Sequence, residues 1–162
     1  MLEKSTIIRI GSLNCRSLSS TSNIHKRKQL TTFIRTQKYD ILTLQETHAS
    51  MEQQPILNSL LKSHSGCWSY YCGIVSLNNQ IIITPVLFSL DHCFILVQIS
   101  HLNNFFDPFY TLTIYAPAES VPLRRFFCLS CIIHTDLLSN SVIFFTQRWT
   151  QNYMIQMRFV VP

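Results

Sequence analysis

The most constraining feature of the sequence is the segment from Tyr39 to Leu44, which is almost entirely apolar and is followed closely by a carboxylate, Glu46. A strand that is apolar on both faces must be covered on both sides, so this segment requires a sheet with structure above and below it. A buried strand that ends at a carboxylate is energetically costly unless the carboxylate has a charged partner or a metal ion. The segment therefore predicts a buried strand with a polar site at its end.

Apolar periodicity along the rest of the chain predicts an α/β fold. Residues 6–14 have the composition of a strand, and apolar residues at helical spacing predict helices over 24–37 and 50–63. A run of β-rich segments separated by polar turns follows over 67–116. This order of elements is typical of an α/β sandwich with a mixed sheet.

The last part of the chain is predicted to contain one more helix and one more strand. Residues 121–138 predict a third helix, and residues 141–145 have the composition of a buried strand. Residues 147–162 have no clear period, which predicts a poorly packed tail.

Two other predicted strands also end at polar groups. The first strand ends at Asn14, and the strand near residue 112 ends at Tyr115. An amide, a carboxylate and a phenol at three strand ends are suited to binding a cation and a phosphate. If the three strand ends meet at one rim, the sequence predicts a divalent-metal phosphodiesterase site.

Positive charge is concentrated near the start of the chain. The net charge is +5, and eight of the thirteen Lys and Arg residues lie in the first 38 positions. These eight are Lys4, Arg9, Arg16, Lys26, Arg27, Lys28, Arg35 and Lys38. Such a cluster attracts a polyanion such as DNA or RNA, and the alternative is a solvated helix face.

Composition also limits the cellular context. Charged residues make up only 13% of the chain, about half the usual share, so we expect part of the surface to be covered in a longer protein.

No secretory signal and no membrane span are evident, and the six cysteines are expected to be free thiols. Cys128, Cys131 and His134 have the spacing of zinc ligands, but their apolar helical context favours cysteines in the core. We predict no membrane association and no stable protein partner.

Four motifs in order resemble the endonuclease/exonuclease/phosphatase superfamily. They are Ser-Leu-Asn-Cys-Arg-Ser-Leu from residue 12, Lys-Arg-Lys-Gln-Leu from 26, Asp-Ile-Leu-Thr-Leu-Gln-Glu-Thr-His from 40 and Leu-Thr-Ile-Tyr-Ala-Pro from 112. The resemblance covers residues 5–145 and is strongest to the apurinic-type endonuclease domain of non-LTR (LINE-like) retrotransposons. It implies a two-sheet α/β sandwich of the DNase I-like type, with the site at one rim.

The resemblance also implies roles for individual residues. Glu46, assisted by Asn14, would hold Mg²⁺ or Mn²⁺, and Tyr115 would donate a hydrogen bond to a phosphate oxygen. His48 follows the family pattern, although its role is less defined. Each residue also has a structural alternative. The alternative is an ion-paired rim carboxylate for Glu46, a turn residue for Asn14, a half-buried strand tyrosine for Tyr115 and an exposed or capping histidine for His48.

DNA is the partner that the resemblance implies. Arg16 and the cluster Lys26, Arg27 and Lys28 would contact the flanking phosphate backbone and hold the nucleic acid without reading its sequence. The implied location is intracellular, and nuclear if the retrotransposon resemblance holds.

The sequence departs from the family pattern at its C-terminal end. The family continues with a Gly-Asp-x-Asn motif and later a Ser-Asp-His motif that carries the general base. Here Thr146-Gln147-Arg148-Trp149 follows the last predicted strand, and no acidic residue lies beyond Asp136. We therefore expect residues 5–145 to form a partial domain, incomplete at its C-terminus, and residues 146–162 to be a divergent tail.

The functional prediction is an endonuclease-like, metal-dependent phosphodiester hydrolase with weak or no activity, because the attacking water has no evident base. The first alternative is a non-catalytic remnant that binds nucleic acid weakly through the basic N-terminal face. A phosphatase or a lipid phosphodiesterase of the same superfamily is a third hypothesis.

Overall fold

The computed structural model describes residues 6–15, 18, 24–115, 142–147 and 155–161. For residues 142–147 and 155–161, and for Thr6 and Lys26, the description covers the backbone alone. The helical elements are α1 (Ile24–Thr36), a short 3-10 helix (Met51–Gln53) and α2 (Gln54–Leu61). The strands are β1 (Thr6–Asn14), β2 (Ile41–Gln45), β3 (Ser65–Trp68), β4 (Cys72–Ser76), β5 (Ile81–Phe88), β6 (Phe94–His101), β7 (Phe109–Tyr115), β8 (Val142–Gln147) and β9 (Ile155–Val161).

The strands form two sheets, as predicted for a two-sheet α/β sandwich. The first sheet has the order β3-β4-β2-β1-β9, and the second has the order β5-β6-β7-β8. Strands β1 and β2 are parallel, and Asn14 lies opposite Gln45 at the end of their register. The two strands run in the same direction, and α1 forms the crossover between them. The carboxyl ends of both strands therefore lie at one edge of the sheet. We call this edge the rim.

Alternation along the strands creates cores on both faces of each sheet. Ile8, Ile10 and Ile41 pack between the sheets with residues of β6 and β7. Leu13, Leu42 and Leu44 belong to a second cluster with residues of α1 and α2. A third cluster on the second sheet contains Phe94, Leu96, Leu112 and Ile114. Strand β2 is buried throughout, as its apolar sequence predicts.

The helices cover the first sheet and connect back to the rim. Ile34 of α1 is fully buried, and Arg35 donates a hydrogen bond from Nη2 to the carbonyl oxygen of Leu60 at 2.8 Å. This contact joins the C-terminal ends of α1 and α2 at the edge opposite the rim. The N-terminal turn of α1, which contains Lys26–Lys28, therefore lies on the rim side.

The boundaries of some predicted elements are wrong for local reasons. The predicted helix over 50–63 begins as a 3-10 turn. Helix α2 itself starts beside Pro55 and ends at Leu61, and the residue that follows it, Lys62, has a left-handed backbone. The β-rich run over 67–72 is not one strand, because residues 69–71 form the tight connection between β3 and β4.

The prediction of a poorly packed tail is wrong for Ile155–Val161. This segment forms β9, which pairs antiparallel with β1 from Ser12↔Ile155 to Thr6↔Val161. The physical reason is the edge of β1, whose unpaired backbone groups accept a further strand. The predicted strand near 141–145 is confirmed as β8, parallel to β7, whereas the predicted helix over 121–138 lies outside the described residues.

Cysteine and membrane predictions can be compared with the described part of the chain. Cys15, Cys67, Cys72 and Cys93 are buried free thiols, as predicted. Among the described helices, none has the length and apolar composition needed to cross a bilayer. The proposed zinc ligands Cys128, Cys131 and His134 lie outside the described residues.

Candidate active site

The carboxyl ends of β1 and β2 bring two predicted site residues into direct contact. The Asn14 side chain donates a hydrogen bond from Nδ2 to Oε1 of Glu46 at 2.8 Å. The backbone N–H of Cys15 donates to the carbonyl oxygen of Gln45 at 2.8 Å, which extends the strand pairing to the last residue before Glu46. Both Asn14 and Glu46 are half-buried at the rim, so a ligand has access to the pair.

The chain adopts an unusual backbone conformation immediately after β2. Glu46 and His48 have φ values of 54° and 49°, in the left-handed region that residues other than glycine rarely occupy. Between them Thr47 is fully buried, and its hydroxyl donates to the carbonyl oxygen of Tyr70 at 3.1 Å. Strained conformations of this kind persist where neighbouring structure fixes them, and they concentrate at functional sites.

The turn between β3 and β4 supplies that neighbouring structure. Thr47 donates its backbone N–H to the carbonyl oxygen of Tyr71 at 3.3 Å, and Ala49 donates to that of Tyr70 at 3.1 Å. The turn is closed in its own right by the Ser69 N–H, which donates to the carbonyl oxygen of Cys72 at 2.8 Å. The segment carrying Glu46 is thus held against a rigid turn.

Tyr115 reaches the same rim from the second sheet. Its backbone N–H donates to the carbonyl oxygen of Cys93 at 2.8 Å, and its side chain is 8% exposed. Its ring stacks on Tyr71 with centroids 4.9 Å apart and an interplanar angle of 22°. Tyr71 in turn makes an edge contact with His48 at 5.5 Å, so ring contacts connect Tyr115 to the segment of Glu46.

A layer of buried polar side chains lies beneath the rim, between the sheets. Gln45 is 1% exposed and donates from Nε2 to Oγ of Ser12 at 3.1 Å. Within the described part of the chain, Oε1 of Gln45 and the hydroxyls of Thr111 and Thr113 are buried without a hydrogen-bond partner. Such atoms are uncommon in native proteins and mark sites of ordered water, ligands or functional strain.

Burial keeps the cysteines near the rim in the thiol form. Burial, with a smaller contribution from the nearby Asp91 carboxylate, raises the pKa of Cys93 to about 11. Burial, with a smaller contribution from Cys93, also raises the pKa of Cys72 far above its ordinary value. The thiolate is the reactive form of cysteine, so neither residue is suited to act as a nucleophile.

Other carboxylates of the first sheet have structural partners. Asp40 lies at the start of β2, at the opposite end of the strand from Glu46. It accepts hydrogen bonds from the Arg9 N–H at 2.9 Å and from Asn78 Nδ2 at 2.9 Å. Among the described residues, no group of three or more His, Cys, Asp or Glu side chains could hold a metal ion.

The predicted nucleic-acid contacts are only partly described. Arg16 and the side chain of Lys26 lie outside the described residues. Arg27 is half-buried and Lys28 is exposed on the rim-side turn of α1, where the described helix has no acidic residue. The positive end of the helix dipole adds to this charge.

Sequence reasoning misses Tyr70, Tyr71 and Gln45. The sequence pattern assigns the two tyrosines to a β-rich run, although adjacent aromatic residues between two strands are a signal for an aromatic turn. Gln45 precedes Glu46 in its motif, and nothing in its sequence context indicates an unpaired buried amide oxygen.

Comparison with known proteins places the fold and the rim in context. The sequence pattern of the Endonuclease/Exonuclease/phosphatase family matches residues 11–146. This match includes Asn14, Glu46, His48 and Tyr115. No curated protein matches the chain at the level of sequence.

Several solved structures have a similar fold. TDP2 from D. rerio complexed with a single-strand DNA product is 14% identical, with a TM-score of 0.65 over 87% of this chain and 60% of that structure. The endonuclease domain of TRAS1, a telomere-specific non-LTR retrotransposon, is 10% identical, with a TM-score of 0.62 over 87% and 60%. An AP endonuclease from Archaeoglobus fulgidus is 16% identical, with a TM-score of 0.54 over 86% and 56%. The chain therefore spans about three fifths of the length of these structures.

Proposed function

The chain belongs to the endonuclease/exonuclease/phosphatase family, and from this membership we propose that it is a metal-dependent, endonuclease-like domain that binds DNA and hydrolyses phosphodiesters slowly. The observation that carries the proposal is the contact between Asn14 and Glu46 at the rim of the family fold. The similarity to a retrotransposon endonuclease domain and to a DNA-bound TDP2 supports DNA as the substrate class.

The residues at the rim fit a hard divalent cation. Family members generally depend on a divalent metal. Mg²⁺ prefers oxygen ligands, keeps several of its waters and is held by one or two carboxylates together with substrate phosphate. Glu46 supplies one carboxylate, and Asn14 supplies an amide whose nitrogen is oriented by Oε1 of Glu46. A bound Mg²⁺ or Mn²⁺ would neutralise the negative charge that develops on the phosphate.

The remaining residues bind and position the DNA. The hydroxyl of Tyr115 donates a hydrogen bond to a phosphate oxygen, and the stacked Tyr71 ring holds Tyr115 in place. Lys28 and Arg27 lie on the rim-side turn of α1, and their charges, with that of Lys26 in the same turn, attract the flanking phosphates. His48 lies two residues from Glu46 and contacts the rings of Tyr70 and Tyr71 edge-on.

Hydrolysis is slow in this proposal because Thr146-Gln147-Arg148-Trp149 stands at the end of β8, where the family pattern has its Gly-Asp-x-Asn motif. Every histidine of the sequence lies at or before residue 134. General base catalysis contributes roughly 10²–10⁴-fold to a rate, and positioning with electrostatics alone leaves much of the barrier in place.

A plasmid-nicking assay tests this function. We expect the purified chain with Mg²⁺ to convert supercoiled plasmid slowly to the open circle, and EDTA to stop the conversion. Glu46→Ala should remove the nicking. Glu52→Ala is the matched control, because this exposed glutamate of the 3-10 helix is not part of the proposed site, so its replacement should leave the rate unchanged. Equal nicking by the wild type and Glu46→Ala overturns the proposal.

The second candidate function is non-catalytic binding of nucleic acid, favoured by the absence of acidic residues beyond Asp136. It is distinguished by salt-dependent binding without nicking. Alanine at Lys26, Arg27 and Lys28 should weaken binding and lower the slope of log K against log salt by about 0.9 for each duplex phosphate that the variant no longer neutralises. The control is a variant with alanine at Lys38 and Lys62, two exposed lysines that follow the helix ends opposite the rim. Binding that is indifferent to salt contradicts this candidate.

A further inference from the structure

Four rings form a continuous row beside the Asn14–Glu46 pair. Tyr115 stacks on Tyr71, Tyr71 meets Tyr70 edge-on at 4.8 Å, and Tyr70 meets His48 edge-on at 5.2 Å. We call these residues the aromatic row. The row begins at a strand end of the second sheet and ends two residues from Glu46, where His48 also meets Tyr71 edge-on at 5.5 Å.

Exposure changes sharply along the row. Tyr115 is buried and Tyr71 is half-buried, whereas Tyr70 is 44% exposed. A single exposed aromatic side chain is ordinary on a protein surface and needs no functional explanation. Tyr70 differs from such a residue because its surroundings fix its position while one part of its ring remains open.

The backbone of Tyr70 is fixed by two hydrogen bonds from the segment that carries Glu46. Its carbonyl oxygen accepts from the Ala49 N–H at 3.1 Å and from the Thr47 hydroxyl at 3.1 Å. On the other side of this contact, Glu46 and His48 adopt left-handed backbone conformations. The backbone of Tyr70 is therefore held against the segment that carries Glu46.

We infer that Tyr70 is a stacking platform for an unpaired nucleobase next to the phosphate bound at the rim. This inference rests on the proposed function, because it names the substrate class of the same site. An aromatic ring that is 44% exposed and held by edge contacts to two neighbouring rings is suited to stacking with a base. In an intact duplex each base is already stacked on its neighbours, so the platform selects single strands or nucleotides that have left the stack.

Charge at the rim favours a nucleic acid over an apolar ligand or a protein segment. Lys28 and Arg27 lie on the rim-side turn of α1, and the chain has a net charge of +5. Positive charge that follows the phosphate backbone, combined with aromatic rings on which bases stack, is how proteins bind single strands without a sequence preference.

Fluorescence anisotropy with two labelled probes tests the inference. The first probe is a single-stranded oligodeoxynucleotide of mixed sequence, and the second has the same length and phosphates but carries abasic spacers in place of nucleosides. We expect the full-length wild-type chain in EDTA to bind the first probe more tightly than the second. Tyr70→Ala should weaken binding of the mixed-sequence probe by about tenfold and leave the abasic probe unchanged.

Two further variants separate stacking from structural damage. Tyr70→Phe keeps the ring and should bind the mixed-sequence probe within about twofold of the wild type. Phe105→Ala removes a ring that is 59% exposed in the connection after β6, at the end of the second sheet away from Tyr115, and should bind like the wild type. Circular dichroism of each variant checks the fold.

Two results would overturn the inference. One is a wild-type chain that does not prefer the probe with bases. The other is a Tyr70→Ala variant that binds both probes like the wild type or loses both equally. The test needs no cleavage, so its outcome is separate from that of the nicking assay: Glu46→Ala can fail to change nicking while Tyr70 still selects bases, and the reverse.

Discussion

At the scale of single residues, Glu46 combines a chemical role with a backbone conformation that its side chain disfavours. A left-handed conformation costs an L-residue roughly 1–2 kcal/mol relative to the right-handed one, and glycine escapes most of this cost. Glycine at position 46 would therefore suit the turn better than glutamate does. The presence of a carboxylate at this position is consistent with selection for the site rather than for the stability of the turn.

Replacing Glu46 by glycine or by alanine tests this argument directly. Both variants lose the carboxylate and its hydrogen bond to Asn14, so they differ only in backbone preference. We expect Glu46→Gly to have a free energy of unfolding about 1 kcal/mol higher than Glu46→Ala, because φ at this position is 54°. Urea denaturation of the two proteins measures the difference, and an alanine variant of equal or greater stability contradicts the left-handed assignment.

The acid–base behaviour of Cys93 is a second property at this scale. Its pKa is raised to about 11 in the folded chain from an ordinary value of 9.0, first by burial and then by Asp91. The folded state therefore keeps this proton at pH values where the unfolded chain releases it. The resulting stability is fully present below pH 9.0 and is lost as the pH rises through the folded value.

This linkage predicts a difference between two proteins measured at two pH values. Between pH 8 and pH 10 the wild type should lose up to about 1 kcal/mol of unfolding free energy beyond what Cys93→Ala loses, since tyrosines and lysines titrate equally in both. Urea titrations at the two pH values provide the comparison. A parallel loss in both proteins would show that Cys93 does not contribute.

At the scale of elements, the hairpin of β3 and β4, whose turn carries Tyr70 and Tyr71, contains a close packing of a tryptophan ring against a glycine. A Cβ atom built on Gly73 would lie 2.5 Å from Cε3 of Trp68, its neighbour across the two strands. The Trp68 ring is in turn held by a hydrogen bond from Nε1 to Oδ1 of Asn58 in α2 at 2.8 Å. Because this hydrogen bond holds the Trp68 ring in place, the ring cannot move away from a Cβ atom at position 73 without a cost in free energy.

Gly73→Ala should therefore destabilise the chain by about 1–3 kcal/mol, the usual cost of forcing atoms into a packed core. The same substitution in a Trp68→Leu background should cost much less, because the clashing ring is gone. Thermal or urea denaturation of the four proteins in this cycle isolates the pair. An equal cost in both backgrounds would place the origin elsewhere than in the ring contact.

Elements with strong local patterns could be predicted from the sequence, and those that depend on distant pairing could not. The apolar composition of β2 and the helical spacing of α1 are local properties, and both elements lie where the sequence predicts them. The contact of Asn14 with Glu46 follows from the parallel arrangement of their strands. The position of Tyr70 depends on how β4 pairs with β2, a long-range contact that no local pattern around Tyr70 specifies.

At the scale of the whole molecule, the first sheet joins the two ends of the described chain. Strand β1 pairs on one side with β2 and on the other with β9, so β1 is an interior strand of the sheet. Each partner satisfies the backbone groups of one edge of β1. The residues that carry the candidate chemistry thus depend on a strand from near the C-terminus for a covered edge.

The sequence of β9 contains a signal that its short length obscures. Apolar and polar residues alternate over Ile155, Gln156, Met157, Arg158 and Phe159, which is the period of a strand. Such alternation over a few residues also occurs by chance, and only the free edge of β1 distinguishes the two cases. Recognition of β9 from the sequence therefore requires knowledge of the free edge of β1, which no local pattern in residues 155–159 contains.

The contribution of β9 to the fold can be tested by changing the order of its residues while keeping their composition. A variant that groups the apolar residues of 155–161 at one end retains mass, charge and mean hydropathy but loses the alternation that a paired strand requires. Because β1 would then present an unpaired edge, we expect this variant to unfold at lower urea concentration and to form higher oligomers on size-exclusion chromatography. A control variant that exchanges Ile155 with Val161 keeps the alternation and should behave like the wild type. If the rearranged chain keeps the oligomeric state and the stability of the wild type, β9 does not protect the edge of β1, and the rim must be held in place by β2 and the β3–β4 hairpin alone.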